Sequence, residues 1–102
     1  MQVLVVITTA ATKEDAARLA RLTVEERLAA CAQLYAIESV YRWEGIQQEA
    51  EWRVELKTSS GKCDALMARL AEAHPYDEPE LIALPAERSS AGYAAWVAAE
   101  TA

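Results

Sequence analysis

Residues 50–57 read Ala-Glu-Trp-Arg-Val-Glu-Leu-Lys, and their strict alternation decides the fold. Successive side chains of a strand point to opposite faces, so Ala50, Trp52, Val54 and Leu56 share one side while Glu51, Arg53, Glu55 and Lys57 share the other. One side of this strand is therefore predicted to be buried. Just upstream, Cys31 to Trp43 carries Tyr35, Ile37, Val40, Tyr41 and Trp43, residue types that suit strands, and Glu44-Gly45 supplies the turn of a hairpin.

Further out, Gln2 to Thr9 is rich in Val and Ile without alternation, as in a central strand covered on both sides. Thr12 followed by Asp15 signals a helix start. Ala16, Leu19, Ala20, Val24 and Leu28 then recur at helical spacing, predicting a helix to about Ala30. Ser59-Ser60-Gly61 opens a second helix whose packed face is Cys63, Leu66, Met67 and Leu70. His74-Pro75-Tyr76 ends it, because proline lacks an amide donor and pushes the preceding residue out of helical geometry. A fourth strand is expected at Leu81–Leu84, then a short helix capped by Ser89 or Ser90 that carries Tyr93, Trp96 and Val97 on one face.

This order predicts an α+β protein, a ferredoxin-like βαββαβ sandwich with an extra C-terminal helix, in one domain over residues 1–102. Right-handed crossovers place both main helices on one face of the sheet and leave the other open. Tyr41, Trp43 and Trp52 on a long hairpin are hard to hide within so small a domain, so self-association is expected to cover them.

The 102 residues carry a formal charge of -6, which argues against nucleic acid as partner because that binding relies on Lys and Arg displacing counterions. The apolar opening, Met1 to Ile7, lacks a basic leader and is too short to cross a bilayer, so a cytoplasmic location is the default expectation and no membrane partner is expected. Cys31 and Cys63 form no C-x-x-C pair and are expected to be reduced thiols.

Five segments resemble the CutA family of divalent-cation tolerance proteins: Leu28–Ala32, Ser39–Gly45 (Ser-Val-Tyr-Arg-Trp-Glu-Gly), Leu56–Thr58, His74–Glu80 (His-Pro-Tyr-Asp-Glu-Pro-Glu) and Tyr93–Trp96. They span nearly the whole chain in order. Gln33 departs from the Asn often found after the cysteine, and Leu34–Glu38 lacks a Pro-Gly turn common there. The resemblance implies a homotrimer whose hairpins pair across subunits, similar in architecture to PII signalling proteins, with clefts between subunits. It associates the chain with tolerance of copper and other divalent cations and implies no enzyme.

Within that frame Cys31, His74 and Glu80 are the candidate metal ligands. Cys31 is either a soft-metal thiolate or a small buried residue at a helix-to-strand junction. His74, in a loop with Asp77, Glu78 and Glu80, is either a ligand or a helix-terminal histidine favoured by the dipole. Tyr41, Trp43, Glu44, Lys57, Tyr76 and Trp96 are the candidate interface or cleft residues, with packing favoured over ligand stacking for the aromatics. A Cys-His catalytic pair would need a thiol within hydrogen-bond reach of His74. Two functions compete: a metal-binding or metal-responsive trimer, and a PII-like adaptor binding a small ligand or protein in its clefts.

Overall fold

A computed structural model describes residues 1–102 as a mixed α+β chain. Strand β1 (Val3–Ala10) leads to helix α1 (Lys13–Glu25), then strands β2 (Cys31–Arg42) and β3 (Ile46–Ser59), helix α2 (Cys63–Ala73), strand β4 (Ile82–Pro85) and helix α3 (Ala91–Glu100). The four strands form one antiparallel sheet in the order β2-β3-β1-β4. The expected hairpin is present, with Arg42 opposite Ile46 and the reversal made at Glu44 (φ 52°) and Gly45 (φ 96°). That left-handed geometry suits Gly45 and is strained for Glu44.

Register fixes which residues face the helices. Val6 stands opposite Leu56 and Thr8 opposite Val54, and Val6, Val54 and Leu56 join Leu19, Leu66 and Leu70 in a core closed to solvent. Fully burying each such side chain stabilises the fold by about 1.5–3 kcal/mol. The alternation of residues 50–57 thus selects the core side at Val54 and Leu56, while Ala50 lies beyond it and is exposed. Cys63 is a core thiol as expected, and burial raises its pKa.

Four expectations need correction. Helix α1 stops at Glu25 rather than Ala30, because Arg27 adopts φ 59° and the amides of Leu28 and Ala29 turn back to the Thr23 carbonyl. Helix α2 begins at Cys63; Ser59 instead extends β3 opposite Val3 and accepts the Thr101 hydroxyl at 2.9 Å. Trp52 packs half-buried against the core, with the Lys13 ammonium 5.5 Å from its ring centre, so it is no part of the exposed hairpin surface. The second sheet face is not wholly open: α3 crosses one end of it, where Val97 packs on Val3 and Ala30. Of the expected α3 face only Val97 is buried; Tyr93 and Trp96 stack on each other near the surface.

Candidate functional site

The remainder of the second face and the hairpin hold an open groove of about 780 Å³. Its walls come from β2, β3 and the turn between them, including Ile37, Tyr41, Trp43, Glu49, Glu51 and Arg53, and from the segment after α2, Tyr76 to Glu80. Glu38, Glu49, Glu51, Asp77, Glu78 and Glu80 line it against Arg53 as the one basic group. Two phenols are tied to this acidic wall. Tyr41 donates to Glu49 Oε2 at 2.9 Å and Tyr76 to Glu51 Oε2 at 2.7 Å. Burial, then the Glu51 bond, pushes the Tyr76 phenol far above its ordinary value. The Glu49 bond likewise raises Tyr41.

Of the groove residues that sequence reading missed, among them Glu49 and Arg53, Glu51 is the buried one. It sits on the charged side of the alternating strand, yet is only 8% exposed, because Tyr76 folds back over it from 25 residues away. The other missed contacts are those of His74. This ring is 9% exposed and uses both nitrogens: Nδ1 accepts the Tyr76 amide at 3.1 Å, while Nε2 lies 2.9 Å from the Thr9 carbonyl and 3.0 Å from Thr8 Oγ1. A carbonyl only accepts, so Nε2 carries the proton and the ring is neutral. Burial, reinforced by Arg18, lowers its pKa despite the Thr9 bond and the carboxylates of Asp15 and Glu51.

The candidate residues therefore fall into two places. Tyr41, Trp43, Tyr76 and Glu80 meet in the groove, with His74 beneath it as an anchor. Cys31 and Lys57 lie across from each other at the far end of the hairpin strands; Lys57 bonds Gln33, the half-buried Cys31 neighbours the Tyr93 hydroxyl of α3, and Trp96 packs on Tyr93. Glu44 is an exposed turn residue outside the groove lining. No three His, Cys, Asp or Glu side chains of one chain are gathered as a metal-ligating group. Neither thiol is a hydrogen-bond partner of His74, whose bonds go to Thr8, Thr9 and Tyr76. No helix is long and apolar enough to cross a membrane.

Fold and groove together define a small α+β protein with a packed core on one sheet face and an aromatic, acidic recess on the other. The model of the CutA1 divalent ion tolerance protein family matches residues 4–100, and the chain belongs to this family. It is 38% identical over 95 residues to the divalent-cation tolerance protein CutA of Pectobacterium atrosepticum, covering 91% of this chain and 86% of that one. It is 42% identical over 96 residues to the rice protein CutA 1, chloroplastic, covering 92% of this chain but 54% of that longer one. The structure of the periplasmic divalent cation tolerance protein CutA from Archaeoglobus fulgidus superposes with a TM-score of 0.94 at 30% identity, over 98% of this chain and 99% of that chain. The family is one of divalent-cation tolerance.

Proposed function

We propose that the chain works as a cytoplasmic homotrimer of ferredoxin-like subunits that responds to divalent cations, copper among them, in clefts made where hairpins of neighbouring copies meet. The observation that carries this reading is the apolar hairpin beside the acidic groove: Val40, Trp43 and Ile46 are 65%, 62% and 70% exposed. Burying such side chains against a second copy stabilises an assembly, and its walls would lower the dielectric around the carboxylates that attract a cation.

A closed metal site does not fit within one subunit, since His74 spends both nitrogens internally. The ligands must then come from more than one copy, with the Glu80 carboxylate suiting hard cations and the Cys31 thiolate suiting copper. Native mass spectrometry of the reduced protein, titrated with Cu(I), Cu(II) and Zn(II), tests this. A trimer that takes up a fixed number of ions and loses them in Cys31→Ser or Glu80→Gln supports it.

A second reading is favoured by Tyr41, Trp43 and Tyr76 lining the groove with Arg53, a set suited to a planar small ligand. On that reading the trimer is a PII-like adaptor and metal tolerance is indirect. A trimer that stays free of metal at low micromolar ion would favour it.

A further inference from the structure

Glu51 is a groove carboxylate that its own chain leaves half satisfied. It is 8% exposed, yet of its two oxygens only Oε2 has a partner, the Tyr76 hydroxyl at 2.7 Å. No side-chain nitrogen or oxygen sealed from solvent lacks a partner, so the free Oε1 opens to the groove that Glu51 lines. A charge stripped of most of its water, with an oxygen unused, is costly until a cationic donor reaches it. The groove's own cation is engaged elsewhere: Arg53 Nε donates to Glu55 Oε2 at 3.3 Å.

The surroundings say which kind of cation fits. Glu49 precedes Glu51 by two residues on β3, about 7 Å along the strand on the same face, and no three of the acidic groups converge on one point. A bare divalent ion collects its oxygens about a single point and gains nothing from a hydrocarbon wall. Here the carboxylates are interspersed with Ile37, Tyr41 and Tyr76, and both phenols already donate to Glu49 and Glu51. The walls therefore offer acceptors and ring faces. A flat, delocalised cation uses both, because its edge N–H groups reach carboxylates while its face stacks on aromatic rings. The volume of about 780 Å³ is that of a small-molecule site. We propose, on the reading of the groove as a small-ligand site, that it binds an organic cation with a planar amidinium or guanidinium head, held by Glu51 and Glu49 and stacked on the flanking tyrosines.

Benzamidine and its neutral isostere benzamide, titrated into the full chain at fixed low ionic strength and followed by ¹H–¹⁵N NMR shifts, separate charge from shape. Benzamidine should saturate and bind about tenfold tighter than benzamide, since charge-assisted hydrogen bonds exceed neutral ones by that much. Its shifts should centre on residues 37–41, 49–53 and 76–80. Glu51→Gln, which can still accept the Tyr76 hydroxyl, should weaken benzamidine about tenfold and leave benzamide unchanged. Glu49→Gln, at an exposed position, should act in the same direction, whereas Glu72→Gln, on α2 beside Arg69, should have no effect. Equal binding of the two probes would overturn the cation assignment and leave the small-ligand reading standing. Failure of both to saturate would overturn the two together. Equal weakening by Glu72→Gln, or shifts spread over the whole chain, would mean diffuse attraction to an acidic protein and would overturn the site.

Discussion

The two faces of the sheet are built by different rules. Against α1 and α2, Val6, Leu19, Val54, Leu56, Leu66 and Leu70 are completely closed to solvent within one chain. On the opposite side α3 covers one end and Tyr76 covers Glu51, while β4 leaves Ile82 and Leu84 exposed; at the hairpin tip, beyond both layers, Val40, Trp43 and Ile46 are exposed as well. A 102-residue chain has apolar area for one complete core. The difference separates stability from function: the first face needs nothing further, whereas the second carries the groove and leaves apolar side chains exposed within one chain.

The largest effect should come from the closed face. Leu66→Ala removes a side chain at the centre of the core and should lower unfolding free energy by about 2–5 kcal/mol, measured by denaturant titration. A loss as small as that of a surface change would mean the two faces are not as unlike as described. His74→Ala comes next, since it leaves the Tyr76 amide and the Thr9 carbonyl without partners, at about 1–3 kcal/mol. Its pH dependence sharpens the point. Because the folded ring's pKa lies below 6.5, the unfolded chain binds the proton more readily. The native protein should keep full stability above about pH 6.5, lose some as pH falls through that value, and level off once the folded ring also protonates. His74→Ala should lack this component. The smallest effect belongs to Arg21→Ala: its 2.6 Å pair with Glu25 lies on the exposed side of α1, and its loss should change stability by under about 0.5 kcal/mol.

What could be read from the sequence follows the same division. Alternation at residues 50–57 and helical spacing at Cys63, Leu66 and Leu70 report burial against one partner layer, so the closed face was legible. Element ends were less so: Arg27 ends α1 in a left-handed conformation that its residue type does not announce, and Ser59 is claimed by Val3 and Thr101, far away in sequence. In the groove, Tyr41, Trp43, Tyr76 and Glu80 were visible as motif residues. Glu51 was not, because its burial depends on a phenol 25 positions later, and periodicity carries no record of such a contact. The Ala-rich α3 is apolar nearly all round, which hid that its inward side is Ala94 and Val97 rather than Tyr93 and Trp96.

The central claim, that further copies of this chain cover the exposed hairpin and the second face, is tested most directly by sedimentation equilibrium at low micromolar concentration, comparing the native protein with Trp43→Ser/Ile46→Ser. The expected result is a native trimer and a variant shifted toward monomer, with its circular dichroism unchanged because neither side chain belongs to the closed core. A native protein that sediments as a monomer would contradict the account.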